Sequence, residues 1–214
     1  MFTSIVRSFV ILVVMLALTV IASACYLPPP RPQPEAPTAT AASPSPTATA
    51  TPAAPTLTSA QLANAVYSSE TAQARKVTLV NGKFEASTGA GATQKLTVTL
   101  TEPIAVGDLN GDDAADAAVV LATNTGGTGV FKSLHAVLNQ AGQPVEAAAI
   151  QLGDRVQVKS LAIQSGAVLV DLLTHGPKDA LCCPTMEVMQ TYKLQGATLV
   201  LASVVQKPTI RLAK

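Results

Sequence analysis

The densest chemistry in this 214-residue chain lies in the run Gly107-Asp108-Leu109-Asn110-Gly111-Asp112-Asp113-Ala114-Ala115-Asp116. Counting Asp108 as position 1, oxygen-bearing side chains fall at positions 1, 3, 5 and 9, namely Asp108, Asn110, Asp112 and Asp116. A hard cation such as calcium takes six to eight oxygen ligands, and alternate residues of a tightly curling loop point inward to supply them, with a backbone carbonyl at position 7. Ala114 holds that position. The carboxylates of Asp108, Asp112 and Asp116 repel one another until a cation neutralises them, so an ion would pin the loop. The competing reading is plainer: Asp, Asn and Gly are turn formers and need no ion to make a hairpin connection.

The run resembles the calcium loop of the integrin-type FG-GAP repeat, in which the loop joins two strands. Here it lies between the apolar stretch Ile104-Ala105-Val106 and a strand expected from Asp116. The motif has Gly at position 6, where this chain has Asp113, and there is a single copy, which excludes a complete propeller. Asp tolerates the left-handed conformation better than most residues, at a cost of about 1 kcal/mol, so the loop can still close.

A second candidate is Thr174-His175-Gly176-Pro177-Lys178-Asp179-Ala180-Leu181-Cys182-Cys183-Pro184. Adjacent cysteines in an oxidising compartment can close an eight-membered disulfide ring that stiffens a loop, a structural role for Cys182 and Cys183. The functional alternative is a redox or soft-metal site, with His175, Cys182, Cys183 and Met186 or Met189 as ligands for copper. Neither a Cys-x-x-Cys spacing nor a second nearby His accompanies them. His135 sits in an alternating stretch and reads as a packed or exposed imidazole.

Other chemistries lack their residues. There is no Gly-x-Ser-x-Gly and no Ser-x-x-Lys, and the Gly-rich stretch Asn124 to Gly129 follows a strand without opening a helix, so it lacks the positive helix end that phosphate binding uses. Nothing in the chain recommends an enzyme, and no catalytic residue is assigned, although a hydrolase with an unrecognised site stays open. Aromatic residues make up 3% of the chain and Trp is absent, which removes the usual stacking platforms for sugars and single strands.

The elements that carry these loops begin outside the globular part. Phe9 to Ile21 is apolar apart from one Thr and follows Arg7, a signal-peptide layout too short to span a bilayer comfortably. Ala22-Ser23-Ala24-Cys25 resembles the lipobox of bacterial lipoproteins, which implies cleavage after residue 24 and a lipidated Cys25. The same Ala-x-Ala spacing also suits ordinary signal-peptide cleavage. Two acyl chains on a cysteine anchor a protein without a transmembrane helix. Removing residues 1–24 takes away Arg7, leaving 13 basic against 13 acidic residues and no basic field for nucleic acid.

Ten of the 15 prolines lie between Pro28 and Pro55, interleaved with Thr, Ser and Ala, so residues 25–56 read as an extended linker reaching on the order of 60 to 90 Å. Residues 57–214 have the composition of a single globular domain. Thr58-Ser59-Ala60-Gln61 followed by Leu62 predicts a short capped helix. Beyond it the period is two: residues 76–80, 94–100, 155–159 and 190–194 alternate as half-buried strands do. The more continuously apolar 116–121 and 167–173 read as central strands. Turn signals at Asn81-Gly82, Gly89 to Gly91, Ala141-Gly142, Ser165-Gly166 and Gln195-Gly196 predict hairpins. The expected fold is mainly β, an antiparallel meander or sandwich with one short N-terminal helix.

The order of the segments 103–112, 119–131, 152–158, 174–177 and 182–185 is similar to a family of uncharacterised bacterial surface lipoproteins, over most of the domain. That resemblance implies an extracytoplasmic β-rich module, lipid-anchored on the outer face of the cell membrane or in the envelope, and no assigned reaction. The first expectation is therefore a non-enzymatic binding or structural module with a calcium-stiffened loop, its protein or small-molecule ligand unknown. The alternative is the redox or copper protein.

Overall fold

The computed structural model describes residues 55–89 and 93–208, all within one compact unit. The signal segment and Cys25 lie outside the described residues, as does the linker apart from Pro55 and Thr56 and the turn at Gly89 to Gly91 apart from Gly89. Among the described residues no helix is long and apolar enough to cross a membrane.

The helix is a single turn, α1 (Ser59–Leu62). Thr58 caps it through a reciprocal box: its Oγ1 accepts from the Gln61 backbone N–H at 3.2 Å, and Gln61 Oε1 accepts from the Thr58 N–H at 2.9 Å. Eleven strands follow: β1 (Val66–Ser68), β2 (Lys76–Thr78), β3 (Lys83–Ser87), β4 (Lys95–Gly107), β5 (Asp116–Asn124), β6 (Phe131–Gln140), β7 (Gln143–Asp154), β8 (Gln157–Gln164), β9 (Ala167–Thr174), β10 (Met186–Gln195) and β11 (Thr198–Gln206). They form a two-stranded ribbon β1-β2, a five-stranded meander β3-β4-β5-β6-β7 and a four-stranded meander β11-β10-β9-β8. Every pairing is antiparallel.

Tight turns set this topology. Asn81 and Gly82 (φ 50° and 80°), Ala141 and Gly142 (53° and 87°), and Ser165 and Gly166 (49° and 71°) place two consecutive residues at positive φ, the twist that matches two-residue hairpins. The chain passes between the two meanders at Arg155, also left-handed at φ 52°, whose N–H bonds Val130 O at 2.8 Å. This is why β8 starts at Gln157 and not at the expected Arg155.

The five-stranded sheet is a middle layer. On β5, Ala118 and Val120 face the four-stranded sheet and share a core with Val168, Val170 and Leu172 of β9. Ala117, Val119 and Leu121 face the other way and pack with Leu62, Tyr67, Val77 and Leu79 of the N-terminal segment. Burial on both faces removes the polar alternation, which is why this stretch is a continuous apolar run. Gly107 lets β4 approach β8 closely: a Cβ there would lie 2.9 Å from both Cβ and Cγ2 of Ile163. At its entrance the chain is fastened to the β6–β7 turn, where Asn139 Nδ2 donates to Pro55 O at 2.6 Å and Gln61 Nε2 donates to Gly142 O at 2.7 Å.

Candidate functional site

The Asp108–Asp116 loop leaves β4 at Gly107 and returns at the first residue of β5. Its carboxylates organise the backbone. Asp108 Oδ1 accepts from the N–H groups of Asn110 and Gly111 at 3.1 and 2.7 Å, and Oδ2 from that of Asp113 at 3.3 Å. The Gly111 bond first, with those of Asp113, Asn110 and Asp112, holds the Asp108 carboxyl below its ordinary pKa. Asp112 Oδ1 accepts from the Ala114 N–H at 2.8 Å, and the exposed Asn110 bonds to the same residue, its Oδ1 accepting from the Asp112 N–H and its Nδ2 donating to Asp112 Oδ2. Asp116 is fully buried; its two oxygens accept from the backbone N–H groups of Leu109 at 2.9 Å and Asn139 at 2.8 Å.

These bonds bring one oxygen each from Asp108, Asp112 and Asp116 within 4.8 Å of one another, the only such cluster of three His, Cys, Asp or Glu among the described residues. A carboxylate oxygen that accepts one N–H retains a second lone pair, so the set remains an all-oxygen donor group of the kind a hard cation prefers. Asp113 sits at φ 63°, closing the loop with a non-glycine residue in the left-handed region.

In the second loop Cys182 and Cys183 are joined by a disulfide and both are exposed. His175 Nε2 donates to Leu181 O at 3.1 Å, and Met186 packs against the core between the sheets. Of the sequence-predicted soft-metal ligands, Cys182 and Cys183 are thus bonded to each other and His175 to a backbone carbonyl. Asp179 holds the loop together, with Oδ2 accepting from the N–H groups of Gly176 and Thr185 at 2.8 and 2.7 Å and Oδ1 from the Thr185 hydroxyl at 2.8 Å. These bonds lower its pKa, the Gly176 N–H having the largest effect.

A third constellation was not assembled from the sequence. His135 on β6 is 1% exposed, with Tyr67 edge-on to its ring at 5.4 Å between centroids. Its Nδ1 meets Glu146 Oε1 on β7, and its Nε2 lies 2.8 Å from Ser133 Oγ. Glu146 in turn accepts from the backbone N–H and hydroxyl of Ser68 at 2.6 and 3.0 Å. Burial pushes the Glu146 carboxyl up, but the His135 ring and the two Ser68 bonds outweigh it and hold the group below the ordinary value. Desolvation, with the Glu146 charge, pushes the Tyr67 phenol up and keeps it protonated, donating to Leu62 O at 2.8 Å.

Glu146 reaches His135 because the ladder slips. His135 pairs with Ala149 and Ala136 with Ala148, but Val137 pairs with Glu146, so Ala147 is an extra residue. Without it Glu146 would lie opposite Leu138 and project from the other face of the sheet. A second slip, between Lys132 and Ser133, leaves Leu152 unpaired. Ser133 and His135 line a cleft of about 660 Å³ between this face and the segment joining β1 to β2, together with Arg75, Leu121, Phe131 and Ile150.

No protein-family model, no curated protein and no solved structure matches the chain.

Proposed function

We propose that the chain is an exported lipoprotein, cleaved after residue 24, lipidated at Cys25 and held off the membrane by the 25–56 linker, with a calcium ion stiffening the Asp108–Asp116 loop of its β domain. On this reading it is a non-enzymatic module of the cell envelope, binding or structural. The anchor places it, the ion and the Cys182–Cys183 ring rigidify its loops, and a protein or small molecule is its ligand. The supporting observation is the convergence of three aspartate oxygens within 4.8 Å on one loop. Asp108, Asp112 and Asp116, with Asn110 and the Ala114 carbonyl, would hold the ion, whose charge would relieve the repulsion of the carboxylates.

The test is thermal melting of the isolated full chain in chelator and in calcium. At 100 times the dissociation constant an ion that binds only the folded state adds about 2.7 kcal/mol, a rise of roughly 5 to 10 °C for a domain of this size. Asp112→Ala, at an exposed position, should melt normally in chelator and lose the rise. An absent rise, or one retained in Asp112→Ala, refutes the site. Metabolic labelling with a radioactive fatty acid tests the anchor: label lost in Cys25→Ala supports it, and an unlabelled native chain refutes it.

A further inference from the structure

We propose that Ser133, His135 and Glu146 form an acyl-transfer site that hydrolyses carboxylic esters with a short apolar acyl group, an activity that needs neither the anchor nor the ion and that would replace the non-enzymatic part of the reading above. With Nδ1 of His135 donating to the Glu146 carboxylate, Nε2 carries the lone pair, and the Ser133 hydroxyl 2.8 Å away is its hydrogen-bond donor. Nucleophile, base and orienting carboxylate therefore stand in the order that activates a serine. Ser68 fixes the carboxylate through two further bonds, so the imidazole cannot swing away.

The surroundings distinguish this arrangement from a buried ion pair that merely fills a core. Ser133 and His135 open on a cleft of about 660 Å³, within the range that encloses a small organic molecule. Leu121 and Phe131 give that cleft an apolar wall for an acyl group, and Arg75, which shares the lining with the carboxylates of Glu70 and Asp154, is the positive charge available to the oxyanion. Arg75 is itself held in the left-handed region at φ 57°. The β6–β7 ladder gives up regular pairing at two places, and these flank Ser133 on one side and the His135–Glu146 contact on the other. Bulges of this kind re-aim side chains beside reactive sites.

The reaction balances with water as the only co-reactant. Ser133 Oγ bonds to the ester carbonyl carbon while its proton passes to His135 Nε2. The tetrahedral oxyanion collapses, the carbon–alkoxy bond breaks, and the alcohol leaves with that proton. Water then attacks the acyl-Ser133, giving its proton to Nε2, and collapse releases the carboxylic acid as the proton returns to Ser133 Oγ. Glu146 is a positioning residue that touches neither substrate nor water.

The full chain is incubated with a fluorophosphonate and digested for peptide mass spectrometry, and hydrolysis of 4-nitrophenyl butyrate is followed alongside. The expected result is an adduct on Ser133 in native but not heat-unfolded protein. Ser133→Ala, with an unchanged circular dichroism spectrum, should lose at least about 100-fold in kcat/KM, and Glu146→Gln about 100-fold in kcat with KM unchanged. Native protein with no adduct on Ser133, or Ser133→Ala that hydrolyses at the wild-type rate, overturns the proposal. The adduct is read on the wild-type chain, so the result stands even if a variant misfolds.

Discussion

Replacing Asp116 with alanine in the presence of chelator should be among the most damaging single changes in the domain. The side chain is fully buried, and its two oxygens are acceptors for the Leu109 and Asn139 N–H groups at 2.9 and 2.8 Å. Alanine leaves both donors buried without a partner, and each such orphan costs about 1 to 3 kcal/mol. Because the two share one side chain, their costs do not simply add, and a combined loss of about 4 kcal/mol is expected. Asparagine keeps one acceptor but turns an NH2 toward the other N–H, so Asp116→Asn should lose about half as much. Urea unfolding followed by far-ultraviolet circular dichroism reads both. With a slope of about 2 kcal/mol/M, the midpoints should fall by roughly 2 M and 1 M at constant slope. A loss under about 1 kcal/mol for Asp116→Ala would refute the reasoning, since two buried donors would then have found other partners at little cost.

Two further outcomes follow from the packing and the charges. Gly107→Ala drives a methyl to 2.9 Å from Ile163 and should cost about 1 to 3 kcal/mol in the same unfolding assay, with Gly107→Ala/Ile163→Ala costing less than the sum of its parts. Glu146 has a folded pKa below its ordinary value of 4.5, so its contribution is fully present above about pH 4.5 and disappears as pH falls through the lower folded value. Melting temperatures between pH 7 and pH 3 should therefore fall more steeply for wild type than for Glu146→Gln, and parallel curves would show that the carboxylate adds nothing.

Much of the framework could be read from local chemistry. The capped turn at Thr58, the paired left-handed residues at Asn81-Gly82 and Ser165-Gly166, and the apolar runs of β5 and β9 all act over a few residues, and the structure places both runs inside their sheets. The grouping of Asp108, Asp112 and Asp116 was legible for the same reason, since the three carboxylates are contained in nine residues. The flanking strands were harder. In β6, Ser133 to Val137 are buried without interruption, so no period of two survives; β7 carries the run Ala147-Ala148-Ala149 and two ladder slips; β11 is a mostly exposed edge despite its valines and leucines. The pairing of His135 with Glu146 was invisible because it depends on the extra residue Ala147, a property of register between two strands. The shared face of Ser133 and His135, two residues apart on one strand, was the local signal.

The fastening of Pro55 to the β6–β7 turn gives the domain a defined mechanical path. A pull on the chain ahead of Pro55 arrives first at Asn139 Nδ2, whose backbone N–H is bonded to Asp116, the residue that also clasps the Leu109 N–H. The part of that load carried by Asn139 would meet the interior of the middle sheet and the acidic loop, in parallel with the covalent path into α1. A load that loosened the Asn139 bond would reach the aspartate cluster within two further contacts, so a pull at Pro55 and the shape of that loop would be physically connected.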